Sequence, residues 1–150
     1  MIRIALSILF SMLASFLFID AGSAGEGAKP QQNPGKNASH HITAYYFHGN
    51  FRCYNCFTIE QFSREAIEKY FPEQLKSGKL VFEVINTDEP ENEHFIKDYQ
   101  LYTKSLVVTE FKDGKQLRWT NLPKVWDYIK DRDAFYNYVR TEVQKYLAGS

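Results

Sequence analysis

Cysteine is scarce in this chain of 150 residues: there are two, Cys53 and Cys56, separated by two residues. That count excludes a multi-disulfide framework. It also excludes a Cys-rich structural zinc site, which needs a second pair of ligands at matching spacing. An excess of charge of either sign is missing as well, with 18 Lys plus Arg against 18 Asp plus Glu. Nucleic acids and anionic membranes call for a basic excess, so neither is an expected partner. The chain has no dinucleotide-type glycine pattern, so no flavin or nicotinamide cofactor is expected, and none of another kind. Beyond residue 19 there is no apolar run long enough to span a membrane.

The one long apolar run lies at the start. Arg3 supplies a positive charge, Ile4 to Ile19 carries none, and Gly22-Ser23-Ala24 offers a small-residue cleavage site. This is the pattern of a secretory signal peptide over residues 1–24. Its 16 residues fall short of the roughly 20 that a spanning helix uses. Membrane attachment is therefore expected only if the segment is retained. Residues 25–40 include two Pro and three Gly and no large apolar residue, so they read as a disordered spacer. The expected location is exported, periplasmic or extracellular, and oxidising compartments of that kind are where disulfide chemistry is done.

The remaining residues, 41–150, are expected to form one domain. Ile42 to His48 is rich in β-formers, with Tyr45, Tyr46 and Phe47 together. After the cysteines, Ile59, Phe62, Ala66 and Tyr70 recur at helical spacing until Phe71-Pro72 interrupts and Ser77-Gly78 closes the region. Leu80 to Ile85 reads as a strand covered on both faces. Asp88, with Glu91 three residues on, has the spacing of a capping box for a second helix carrying Phe95 and Tyr99. Leu106 to Phe111 is the next strand, and Asp113-Gly114 signals a hairpin back through Gln116 to Trp119. Asp131 or Asp133 caps a last helix with Phe135, Tyr138, Val139 and Tyr146. The expected fold is α/β, in the order β-α-β-α-β-β-α, a mixed sheet flanked by helices. Crossover helices predict that the first three strands run parallel.

Chemistry concentrates in Phe51-Arg52-Cys53-Tyr54-Asn55-Cys56, directly after a strand and at the start of a helix. Unpaired amides and the positive end of the helix dipole favour a thiolate there. The first Cys of such a pair is expected to have a depressed pKa, with Arg52 adding positive charge beside it. Cys56, one turn later, is within reach of Cys53. Cys53 would attack a substrate disulfide and Cys56 would resolve the mixed disulfide. The other candidates carry less. His48 reads as a strand-end His, and His40-His41 as solvated side chains with at most a weak surface metal site. Glu89, Glu91 and Glu93 read as dipole-stabilising acids at a helix start. Lys97, Lys104, Lys112 and Lys115 read as solvated charges.

Over residues 41–147 the chain resembles the thioredoxin superfamily. The Cys-x-x-Cys after the first strand matches, as do Asn86-Thr87-Asp88, Tyr99-Gln100-Leu101, Leu106 to Phe111 and Lys112-Asp113-Gly114-Lys115. The details around Arg52-Cys53-Tyr54-Asn55-Cys56 and Asp88 to His94 also resemble a narrower group, the thioredoxin-like nitrophenyl-compound nitroreductase subunits. The superfamily resemblance implies a thioredoxin-like fold, with Cys53 and Cys56 as catalytic residues and a protein or small-molecule thiol or disulfide as partner. Arg52 stands where thioredoxins have Trp, and Tyr54-Asn55 replaces their Gly-Pro. Phe47 falls at the position of their buried acid, Val84 near that of their strand Lys, and Ser105-Leu106 where their cis-proline faces the cysteines. These departures imply that Cys56 lacks the usual proton acceptor.

Three functions follow: an exported thiol–disulfide oxidoreductase, a soft-metal or metalloid binder holding its ion between two thiolates, and a non-catalytic accessory subunit with a structural disulfide.

Overall fold

A computed structural model describes residues 40–149 of the chain. The proposed signal segment 1–24 and most of the spacer lie outside the described residues. Four strands form one mixed sheet: β1 (His40–His48), β2 (Leu80–Asn86), β3 (Ser105–Lys112) and β4 (Lys115–Asn121), in spatial order β2-β1-β3-β4. The helices are α1 (Tyr54–Tyr70), α2 (Pro72–Ser77), α3 (His94–Asp98) and α4 (Arg132–Ala148), with short 3₁₀ turns at Pro90–Asn92 and Pro123–Val125.

The sheet organises two apolar layers because side chains alternate along a strand. On β1, Ile42, Ala44 and Tyr46 face α1 and α4, meeting Ile59, Ile67, Phe135 and Val139. Tyr45 and Phe47 point to the opposite face and pack with Tyr99 and Val107. Fully burying one Leu, Ile or Phe contributes roughly 1.5–3 kcal/mol, so the α1/α4 layer carries most of the stability. The two 17-residue helices on that face are tied by Arg132 to Glu65 at 2.6 Å, by Tyr136 to Glu65, and by Phe62 edge-on to Phe135 at 5.5 Å. The opposite face is covered by α3, which has five residues.

Local signals stop and start these elements as their chemistry requires. Pro72 cannot continue α1 and instead opens α2, which closes at Gly78 with φ 73°. Asp113 and Gly114 both have positive φ, 51° and 74°, the backbone of a two-residue hairpin turn. Of the two candidate caps, Asp131 holds α4, accepting from the Ala134 amide at 3.0 Å.

Three expectations are corrected. β3 runs antiparallel to β1, with Phe47 opposite Ser105 and His41 opposite Phe111, whereas β1 and β2 are parallel. The five residues of α3 rise about 7.5 Å, a third of the roughly 23 Å of a seven-residue strand, so the chain never returns to the sheet's far end. β3 therefore starts where β1 and β2 finish. Second, β2 is an edge strand: Leu80 and Val81 are buried, but the rest is half-buried, and Arg64 lies over the Phe82 ring at 4.9 Å. The strand buried along its length is β1. Third, Asp88 does not cap α3, whose N-cap is Glu93 with no side-chain bond. Its carboxylate is used elsewhere.

Candidate active site

Cys53 is the N-cap of α1, with extended backbone at φ −89° and ψ 169°. The strand β1 ends at His48, and Gly49 to Arg52 lead into the helix. A Cβ on Gly49 would lie 2.7 Å from Asp88 Oδ2, so a side chain here would have to displace the Asp88 carboxylate. That same oxygen accepts from the Asn50 amide at 2.7 Å. Asn86 donates to Asn50 Oδ1 at 2.8 Å, and Thr87 donates its amide to the His48 carbonyl at 2.7 Å. The loop after β2 thus clamps the loop that carries the cysteines.

Cys53 is exposed and Cys56 is buried, and both are free thiols. The Cys56 amide donates to Cys53 Sγ at 3.3 Å, and the Cys53 amide donates to Cys56 Sγ at 3.2 Å. The two pKa values separate. The hydrogen bond from the Cys56 side chain, followed by the Cys56 amide, lowers that of Cys53. Burial, followed by the hydrogen bond to Cys53, raises that of Cys56. The pair thus sets an exposed thiol with a lowered pKa beside a buried one with a raised pKa.

Arg52 does not play its expected part. Its guanidinium turns back along α1, pairs with Glu60 and lies over the Phe57 ring at 4.1 Å. Hydrogen bonds, not Arg52, are what lower the Cys53 thiol. The β1 residue that reaches the cysteines is also not Phe47, which the thioredoxin resemblance set at the position of the buried acid. Phe47 faces the α3 layer, whereas Tyr46, fully buried, donates its hydroxyl to the Cys56 carbonyl at 2.7 Å. Strand alternation was the available signal, because Tyr46 shares the face of Ile42 and Ala44.

A cleft of about 220 Å³ opens at the loop that leads into the pair, lined by His48, Phe51, Asp88, Tyr102 and Lys104 among others, with neither cysteine in its lining. Lys104 was expected as a plain solvated charge; it is half-buried, and its proximity favours the Cys56 thiolate. Phe51, Tyr54 and Tyr102 are 79%, 83% and 95% exposed, an apolar rim around the site. The remaining candidates stand apart. His48 Nδ1 is 2.9 Å from the Gly49 carbonyl, and His94 pairs with Asp98 at 2.9 Å on α3. His40 and His41 diverge, one to Glu110 at 2.8 Å and the other stacked on Phe111. Glu89 accepts from the Asn92 side chain at 3.1 Å. Among the described residues no group of three or more His, Cys, Asp or Glu is arranged to hold a metal ion, and none of their helices is long and apolar enough to cross a membrane.

A mixed four-stranded sheet between helices, with a Cys-x-x-Cys opening the helix after β1, defines a thioredoxin-like α/β domain. Solved thioredoxins are similar to it. Thioredoxin O2 of Arabidopsis thaliana, in the oxidized state, is 18% identical over 64% of this chain and 76% of its own, with a TM-score of 0.39. The thioredoxin of Fasciola hepatica is 21% identical over 61% and 81%, with a TM-score of 0.37. That of Trypanosoma brucei brucei is 18% identical over 69% and 76%, with a TM-score of 0.39. No family model and no curated protein matches the chain, so the narrower resemblance to nitroreductase subunits gains no support.

Proposed function

We propose that this chain is an exported thiol–disulfide oxidoreductase with Cys53 as nucleophile and Cys56 as resolving thiol. The observation that carries the reading is the contrast within the pair: an exposed Cys53 with a lowered pKa against a buried Cys56 with a raised one. In the reducing direction, the Cys53 thiolate attacks one sulfur of a substrate disulfide, forming a mixed disulfide and releasing the other sulfur as a thiolate. Cys56, after losing its proton, attacks Cys53 Sγ. The second substrate thiolate leaves, the protein holds a Cys53–Cys56 disulfide, and two electrons have passed to the substrate. The reverse sequence oxidises a dithiol. The apolar rim supports a polypeptide disulfide as substrate, since aromatic side chains offer large contact area to a partner.

The test is trapping. In a Cys56→Ser variant, a mixed disulfide with a disulfide reagent should accumulate on Cys53, seen by intact mass, while Cys53→Ser should accumulate none. No adduct on either variant would instead favour a docking subunit, the reading that the same rim would serve without turnover. Export is tested separately: protein recovered from its native host should begin at or near Gly25, and a full-length membrane-bound product would count against cleavage.

A further inference from the structure

Arg52 immediately precedes Cys53, and a cation so placed ordinarily favours the neighbouring thiolate. Here it is drawn off. Its guanidinium pairs with Glu60, two helical turns along α1, rests on the Phe57 ring at 4.1 Å, and leaves the side chain 17% exposed. The other Glu60 oxygen meets Arg64 at 3.3 Å, and Arg64 in turn lies over Phe82. Glu60 is thus the acid on which two arginines converge, and neither is directed at the sulfur.

We propose that Glu60 is a positioning residue that restrains the reactivity of Cys53 by holding the Arg52 charge along α1 and cancelling it. The proposal rests on the thiol–disulfide reading above. The other groups around the site are Tyr46 and His48 from β1, Asp88 from the loop after β2, and Lys104 from the segment before β3. None of these hydrogen-bonds to Glu60; Tyr46, whose ring centre lies 5.9 Å from the Arg52 guanidinium, feels both charges of the pair and is held by its own bond to the Cys56 carbonyl. Glu60→Gln deletes one negative charge and frees Arg52, and both effects favour the Cys53 thiolate.

The experiment is mass-mapped alkylation of the reduced full chain across pH. The Cys53 midpoint should fall by about half a pH unit in Glu60→Gln, a threefold gain in thiolate below the midpoint. That is the size expected of one unit charge acting through a water-rich surface. Arg52→Gln should move the midpoint the other way, and Arg52→Gln/Glu60→Gln should return it close to that of the unsubstituted chain. Loosening of the loop alone would not be reversed by the second substitution. An unchanged or raised midpoint in Glu60→Gln overturns the proposal, as does a double variant that keeps the Glu60→Gln shift. Preferential alkylation of Cys56 in the unsubstituted chain would instead refute the parent reading, before any variant is compared.

Discussion

Replacing Tyr46 by Phe isolates one atom of the structure. The ring is fully buried among α1, α4 and the sheet, and Phe fills the same space, so no large cavity opens. What is lost is the hydroxyl donation to the Cys56 carbonyl at 2.7 Å. That carbonyl lies in the first turn of α1 and keeps its own helical amide partner, so the full penalty of an orphaned acceptor does not apply. The loss is then the net value of one hydrogen bond, about 1 kcal/mol. With a urea m-value of roughly 1–3 kcal/mol/M, the unfolding midpoint should drop by about 0.3–1 M at unchanged m. Equilibrium urea unfolding of the reduced protein, followed by fluorescence of Trp119 and Trp126, measures it. Burial, followed by the nearby Cys56, pushes the Tyr46 hydroxyl well above its ordinary pKa, so it stays protonated and the difference should be constant from pH 6 to 9. An unchanged midpoint would show that the contact adds nothing. A loss above about 3 kcal/mol would show that the ring does not pack as described, since that is the range of truncating a buried ring.

Three further outcomes test other parts of the structure. Alkylation of the unsubstituted chain should modify Cys53 at lower pH than Cys56, because the first pKa is lowered and the second raised; the opposite order would refute the site geometry. Burial works against ionising Glu110, but hydrogen bonds from Arg118 at 2.5 Å and His40 at 2.8 Å outweigh it and hold its pKa below the ordinary value. This contribution is present above the unfolded carboxylate pKa and is lost as pH falls through the folded one, so Glu110→Gln should flatten the acid limb of the stability curve. It should also cost about 1–2 kcal/mol near neutrality, less than a fully buried pair because Arg118 is half exposed. Asp131→Ala should destabilise by about 1 kcal/mol through loss of the α4 cap, read as a lower thermal midpoint.

The features that were legible in the sequence are those set by a residue's own chemistry. Pro72, Gly78, the Asp113-Gly114 turn and an Asp cap for α4, narrowed to Asp131 or Asp133, each act within a few residues. The cysteine pair was legible for the same reason, since its position between strand and helix follows from local pattern. What was hidden depended on distance through space. The direction of β3 turns on how far α3 carries the chain, and the half-covered state of β2 on its place at the sheet's edge. Asp88 reads as a helix cap until the loop carrying Asn50 comes alongside it. Arg52 reads as an activating charge until α1 brings Glu60 within its reach. Tyr46 and Phe47 are adjacent aromatics in the sequence, and one step of strand alternation sends them to different layers.

The helices on the two faces of the sheet differ in what holds them in place. On one side stands α1, 17 residues long and backed by α4. On the other stands α3, five residues long, ending at Tyr99 with Gln100 beyond it at φ 50°. What anchors it is mainly two rings, Phe95 and Tyr99, against Tyr45 and Phe47, with the Tyr99 hydroxyl donating to Gln116 at 2.7 Å. So short a helix has few internal bonds to break when it opens. In deuterated water, amides of 94–101 should therefore exchange by local opening, while the buried turns of α1 wait for the whole domain to unfold. The sheet would then carry the two cysteines at the start of a slow-exchanging helix on one face, while the other face opens on its own.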